Sequence, residues 1–469
     1  MLSNTELKQI INHATLPGVD FAELYIQDVR RTSVVREEEK ITEFINGCSQ
    51  GAGLRLLVGD TTYFASTNNV CPESLKVLAK QVSKQVTSRT RNKRRTLHKV
   101  TKWKMHVASL PCNVILPETI PAERKAKLVT SMDNVARKVV SDGTLHQVQV
   151  GYSDGIKNIT IANSSGILTR EQRCYTFLTV TVTTGRQSVI QSGHEVLGGT
   201  VGWEKFEKDD PFRYARIAAR RARQLLDAEP AEAREMPVVI SSEAGGTMIH
   251  EAIGHCLEAD LVQKGISPAY RGKLGQQVAS EKLTVVDDGT LPTRNGSYAF
   301  DDEGTPAQRT VLVEKGILKS YMYDNFTAGK DHCKSTGNGR RNSFVHKPIP
   351  RMSNTFILPG NEKPQKIIAS VESGLFVKRL GGGEVNTANG DFVFEVEEGY
   401  KIKDGQVSSP VRGALLIGNG PEVLKSISRV GNDLGFGLGT CGKDGQGVPV
   451  GDGQPTLLIP RITIGGSGI

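Results

Sequence analysis

The chain has 469 residues, about three times a typical domain length, so two domains with separate cores are expected. Hydrophobic residues make up 38% and charged residues 23%, which excludes disordered and collagen-like classes; no stretch approaches the roughly 20 consecutive apolar residues of a membrane span. The net charge of +9 invites nucleic acid, but much of the excess sits in one run, Arg89 to Lys104, with no zinc-finger, helix-turn-helix or RNA-recognition pattern, so a solvated segment is the simpler reading. The first residues lack an apolar signal-peptide core, and the seven scattered cysteines form no disulfide framework. Both features point to a reducing cytoplasm and no membrane.

Leu7, Ile10, Ile11 and Ala14 recur at helical spacing and predict a helix over 5–16. Phe21 to Val34 alternates as a strand, and Gly51 to Val58 with Thr61 to Ser66 flank Gly59 and Asp60 as a hairpin. Pro72 to Val86 returns to a helical pattern, a second helix is predicted over 121–141, and alternating segments follow at 147–152 and 159–162. A long helix over 211–227 presents Ala215, Ala218, Ala219, Ala222 and Leu226 on a narrow apolar face. The charged segment Ala228 to Met236, with Pro230, reads as a linker. It divides a mixed α/β domain, 1–230, from a mainly-β domain, 231–469, in an α+β fold. Most of the 50 glycines fall in the second part, among short apolar runs such as Thr284 to Val286, Thr310 to Val313, Phe392 to Val396, Ala414 to Ile417 and Thr456 to Ile459.

That second part carries one chemically loaded helix. Pro237 to Ile240 reads as a strand, Ser241 to Gly246 as a turn, and TMIHEAIGHCLEADLV as a helix holding His250, Glu251 and His255. Imidazoles are common zinc ligands, and a carboxylate beside them suits removal of a proton from water activated by the metal. The spacing is H-E-x-x-x-H, however, and residues five apart on a regular helix differ by about 140° in direction. A one-residue widening would restore a shared face, so a broadened or broken turn is expected over Ala252 to His255, where Gly254 tolerates it. For a third ligand the residues leave Cys256, the His332 and Cys333 pair, and Cys441 in the glycine-dense segment GLGTCGKDGQGVPVGDGQP open.

HEAIGHCLEAD and GTCGKDGQGVPVGDGQPT, with GVDFAELYIQ near the start and GSYAFDDEGTPAQRTVLVEKGIL in the middle, resemble the TldD branch of the TldD/PmbA family over essentially the whole chain. The resemblance implies a zinc metallopeptidase with His250, His255 and Cys441 as ligands and Glu251 as general base. It further implies unfolded peptides or flexible protein segments as substrates, and a dimer formed with a second copy or with a PmbA/TldE-type paralogue. Glu258 and Asp260 are candidates to accept the free ring N–H of a ligand histidine. Asp301 to Glu303 read as a turn before a strand, and Arg340 and Arg341 as candidates to bind a peptide carboxylate or an oxyanion. Glycine-rich Leu380 to Phe392 and Arg429 to Thr440 are candidate walls for an extended peptide pairing with a strand edge. The competing class is a regulatory or binding subunit whose zinc is structural, with Cys256 or Cys333 as a fourth ligand.

Overall fold

The computed structural model describes residues 2–15, 17–89, 99–386 and 388–466. Most of the basic run Arg89 to Lys104, and Leu16 at the end of the first expected helix, lie outside them. The first half is built on one seven-stranded sheet. Across it lie Thr61–Thr67, Lys40–Val58, Phe21–Glu37, Leu145–Asn163, Ile167–Arg186 and Lys104–Ala108, with Val189–Gly199 also paired to Ile167–Arg186. Helix Asn4–Ala14 begins where Ser3 and Glu6 cap one another, which satisfies otherwise orphaned amides. With Pro72–Arg89 it buries one end of the sheet through Leu7, Ile11, Leu54, Leu75 and Val82. Helices Ala122–Val139 and Pro211–Leu226 bury the other end, where Val129, Met132, Val180, Ala215 and Ala219 pack together.

Several elements differ from expectation for local reasons. The hairpin strand starts at Lys40 rather than Gly51, because the chain reverses at Glu38 and Glu39, both at positive φ (47° and 61°) without the Gly or Asn that marks such turns. The two segments expected at 147–152 and 159–162 are one strand, Leu145–Asn163, running through Gly155 without a break. Ala228 to Met236, expected as a linker, is tied into a sheet: Glu229–Pro230 pairs with Val411 and Arg412, and Arg234 opens the strand Arg234–Ile240. Pro230 is tolerated there because it lies at a sheet edge.

The residues from 229 onward form two further large sheets. In one, Ser373–Val385, Arg234–Ile240, Leu457–Gly466, Ala414–Asn419 and Asp391–Lys403 pair in that order, and the last pairs back to the first, closing a ring. The other runs Ile317–Leu318, Arg309–Glu314, Val285–Asp288, Asn354–Ile357, Gln446–Gln454 and Gly435–Lys443, the last forming an edge. The whole is an α+β fold. Met248, Ile249, Ile253 and Leu257 of the expected metal-bearing helix are buried in one continuous core with Ile240, Phe394, Leu416 and Val450 from both sheets. Each such side chain contributes about 1.5–3 kcal/mol by leaving water, so the segment is anchored on both sides.

Buried ion pairs join the two halves. Arg55 bonds Glu23 at 2.9 Å and Glu303 at 2.5 Å, Arg341 bonds Glu23, and Arg173 bonds Asp302 at 3.0 Å. Asp301 to Glu303 do form a turn, in which the Asp301 carboxylate accepts from the amides of Glu303, Thr305 and Gly339. Their acidity serves this junction.

Candidate metal centre

The strand Arg234–Ile240 delivers the chain to the turn Ser242–Ala244, then to Gly245 at φ +70° and Gly246. A Cβ on Gly246 would lie 2.2 Å from the amide nitrogen of Gly453, so this close approach to the strand Gln446–Gln454 admits no side chain. A helical turn, Thr247–Ile249, leads into a π-helical turn over His250–Gly254 and a 3₁₀ turn over His255–Leu257. The widening expected over Ala252 to His255 is thus present, beginning at His250. The amide of His255 donates to the carbonyl of His250, a bond spanning five residues, which brings the two imidazoles onto one face. Their ring centroids are 5.0 Å apart at an interplanar angle of 89°.

Cys441 reaches the same point from the edge strand Gly435–Lys443, and its Sγ lies 3.3 Å from His255 Nε2. Ligand atoms of His250, His255 and Cys441 all lie within 4.8 Å of one another, with His250 and Cys441 buried. Donor separations of about 3.4–3.6 Å are expected around a tetrahedral zinc with Zn–N near 2.0–2.1 Å and Zn–S near 2.3 Å. The donors therefore need only small adjustments to share one ion, and two imidazoles with a thiolate are a set that zinc favours.

The electrostatics ask for a cation. Burial opposes ionisation of the Cys441 thiol, yet hydrogen bonds and charge from His250 and His255 outweigh it and hold the thiol down at about 5. Burial likewise disfavours charge on both imidazoles, but Cys441 raises His250, and Glu258 with Cys441 raises His255 well above the ordinary value. The thiol and the two imidazoles thus favour one another's charged forms. Glu251, facing the adjoining cleft, is pushed up chiefly by burial.

A fully buried carboxylate sets the orientation of His255. Glu258 Oε2 accepts from His255 Nδ1 at 3.0 Å, leaving Nε2 directed at Cys441. Burial would raise the Glu258 carboxyl, but Lys443, His255 and Arg351 hold it at about 2. Lys443 Nζ lies 3.1 Å from Glu258 and 2.6 Å from Asp260, so Asp260, the other candidate for a ring N–H, receives its bond from Lys443 instead. Arg351 also donates to the carbonyl of Cys441. Neither Lys443 nor Arg351 stands out in the sequence, although Lys443 lies two residues from Cys441 and thus leaves the strand on the same side. Asp452, buried beside His250 and lining the cleft, is a third residue that sequence reasoning passed over.

The remaining candidates lie elsewhere. Cys256 is buried among apolar side chains, burial pushing its thiol up to about 11, and Cys333 is exposed. His332 borders a separate groove with Asp60 and Lys330. Arg340 donates to the carbonyl of Met352 within the second half, while Arg341 bonds Glu23 and the carbonyls of Asp302 and His346, so Arg341 is committed to the junction between the halves.

The cleft lined by His250 and Glu251, about 480 Å³, is walled by His194 to Gly198 from the first sheet and by Leu380, Gly381 and Phe436 to Thr440 from the glycine-rich segments. Gly435–Lys443 pairs only with Gln446–Gln454 among the described residues, leaving its other edge open. No helix among the described residues is long and apolar enough to cross a membrane.

Residues 22–86, 115–226 and 233–466 match the models of PmbA/TldA metallopeptidase domain 1, central domain and C-terminal domain, respectively. The chain is 36% identical to the "Metalloprotease TldD homolog" of Haemophilus influenzae, covering 99% of this chain and 97% of that one. It is 35% identical to the "Metalloprotease" of Methanothermobacter thermautotrophicus over 96% of each chain. A "Zinc metalloprotease TldD homolog" of Saccharolobus solfataricus is 31% identical over 54% of this chain and 56% of its own. Among solved structures, a putative modulator of DNA gyrase from Thermotoga maritima superposes with a TM-score of 0.78 at 20% identity, covering 99% of this chain and all of that one. TldE from Thermococcus kodakarensis gives 0.76 at 19%, covering 98% and 100%. The chain belongs to the PmbA/TldD metallopeptidase family.

Proposed function

We propose that the chain is a zinc metallopeptidase that cleaves unfolded peptides or flexible protein segments, with His250, His255 and Cys441 as ligands and Glu251 as general base. The observation that carries this reading is the convergence of those three donors, from a π-helical turn and a distant edge strand, beside a carboxylate that faces a cleft. Bound zinc would polarise the scissile carbonyl and lower the pKa of water toward neutrality. Glu251 takes a proton from the attacking water and returns it to the leaving amine; a carboxyl raised by burial is suited to doing both. Glu258 fixes the ring of His255 through Nδ1, and Lys443 and Arg351 keep Glu258 ionised. The open edge of Gly435–Lys443 supports recognition through main-chain hydrogen bonds, which place little demand on side chains.

The competing reading, a structural zinc in a binding subunit, calls for a fourth protein ligand, and neither Cys256 nor Cys333 joins the cluster. We further propose a unit boundary near residue 230, supported by sheets that draw their strands from 21–199 or from 229 onward. Pairing with a second copy or a PmbA/TldE-type paralogue is supported by the exposed arm 41–50, which presents Ile41, Phe44 and Ile45 to solvent. The cytoplasm is the proposed setting, in keeping with seven free cysteines. Glu251→Gln should abolish cleavage of an unstructured peptide while zinc content stays unchanged. Retained turnover, with contaminating proteases excluded, would remove Glu251 from its role.

A further inference from the structure

A second cavity, about 390 Å³, lies between the first sheet and the outer face of the hairpin that carries Cys441. It meets the cleft at Thr440, which lines both, and Pro449, the strand partner of Thr440, forms part of its wall. Its lining is cationic: Arg31, Lys157, Arg173, Arg340 and Arg341 stand against two carboxylates, Asp154 and Asp302. Those carboxylates are already engaged, Asp154 with Lys125 and Tyr152, Asp302 with Arg173 and the amide of Arg341.

Among these groups Arg31 is exposed and Arg173 and Arg341 are ion-paired, so Lys157 is the amine within the cavity that is left without a carboxylate partner. Its ammonium has no ion-pair or hydrogen-bond partner among the described residues and lies 5.7 Å from the centre of the Tyr25 ring. Burial lowers its pKa and Asp302 raises it, but Arg173, Arg341 and Arg340 add to the lowering, leaving it at about 8. An amine kept beside three guanidinium groups is costly unless an anion completes the set. The buried guanidinium groups of Arg173, Arg340 and Arg341 each also retain an Nε without an acceptor. Within the cavity's lining cationic groups thus outnumber carboxylates, Arg173 and Arg341 being paired in addition with Glu171 and Glu23 outside it, which leaves Lys157 facing the cavity without an anion.

We propose that this cavity is a carboxylate-binding subsite for the peptide, with Lys157 as the group that contacts the anion. The proposal rests on the peptidase reading, because the cavity continues the wall along which an extended chain would lie. The carboxylate has two sources, the C-terminus of the peptide or an acidic side chain within it. Either would be drawn to Lys157 as the chain runs past Thr440, and would set where along the peptide the bond beside Glu251 is presented.

The test is binding, measured by fluorescence anisotropy on zinc-reconstituted full-length Glu251→Gln protein. The probes are a fluorescein-labelled Ala/Ser octapeptide with a free C-terminal carboxylate, its C-terminal amide, and that amide with Glu as its last residue. The free acid should bind about ten-fold or more tightly than the plain amide, as expected for a charge-assisted bond. Lys157→Met, which keeps most of the side-chain bulk, should abolish the preference without weakening amide binding, and Lys157→Arg should retain it. Recovery of the preference by the Glu-bearing amide assigns the carboxylate to a side chain; its absence assigns it to the terminus. Equal binding of acid and amide, no binding of any probe, or an acid preference that survives Lys157→Met would overturn the proposal. Cleavage of the plain amide by protein with Glu251 intact reads peptidase activity separately, so acid preference without cleavage would count against that activity and leave the subsite standing.

Discussion

Gly254→Ala is the sharpest probe of the packing that shapes the turn carrying His250 and His255. Gly254 has φ −55° and ψ −61°, an ordinary right-handed conformation, so alanine meets no backbone penalty and would gain about 1 kcal/mol in helix propensity. Sterics oppose that gain. The added Cβ would lie 2.2 Å from Met352 Sδ and 3.1 Å from its Cε, whereas unstrained carbon contacts lie at about 3.5–4.0 Å. Met352 is fully buried in the same core, so its sulfur must move by more than about 1 Å into occupied space. Overpacking costs about 1–3 kcal/mol, and a displacement this large belongs at the upper end, leaving a net loss of about 2 kcal/mol. Urea unfolding with metal chelated reads that loss, and competition with a chromophoric chelator reads zinc affinity, which should fall because Gly254 lies between the two histidines. Met352→Ala opens a cavity that the new methyl partly fills, so the double variant should be about 3 kcal/mol more stable than the sum of the single losses. A Gly254→Ala protein with unchanged stability and zinc affinity, or strictly additive single losses, would refute the reasoning.

Glu258→Gln leaves Lys443 and Arg351 without their shared buried carboxylate and loosens the hold on His255. Zinc affinity should fall about 10–100-fold by chelator competition, and an unchanged affinity would show that His255 is oriented by packing alone. At the junction of the halves, burial would raise the Asp302 carboxyl, but Arg173, Lys157 and Arg341 hold it at about 2, below its ordinary value of 3.8. A depressed carboxyl contributes stability that is present above the unfolded value and lost as pH falls through the folded one. The shift corresponds to about 2 kcal/mol, and Arg173 keeps Glu171 at 2.9 Å when Asp302 is replaced, so Asp302→Asn should be about 2 kcal/mol less stable at pH 7. That difference should narrow as pH falls from about 4 toward 2. A difference independent of pH in urea unfolding at pH 7, 4 and 3 would deny the pairing.

Where local pattern and tertiary environment agree, the elements were legible. Leu7, Ile10, Ile11 and Ala14 mark a helix because the same residues that favour it also bury its face. The π-helical turn was legible for a chemical reason, since histidines five apart share a metal only if the helix widens. The arm beginning at Lys40 was hidden because its residues through Gln50 are exposed on both faces, so no alternation of apolar and polar residues exists to be read. Arg340 and Arg341 looked available for substrate in a polar loop, but a sequence does not show that Glu23, more than 300 residues away, closes on one of them. The charge in Ala228 to Met236 suggested a loose connection, whereas the strand it joins, Gln406–Arg412, lies far along the chain. Lys443 and Arg351 were missed for the same reason: their partner, Glu258, becomes their neighbour only when Gly435–Lys443 folds against the segment that carries His250 and His255.

The shared role of His250, His255 and Cys441 is tested most directly by zinc X-ray absorption on the purified chain, wild type beside Cys441→Ser. One zinc per wild-type chain, with one sulfur and two imidazole nitrogens among its ligands, and loss of both the sulfur shell and most of the metal in the variant, is the expected result. Zinc retained at full occupancy in Cys441→Ser, or a wild-type ion without a sulfur ligand, would contradict it.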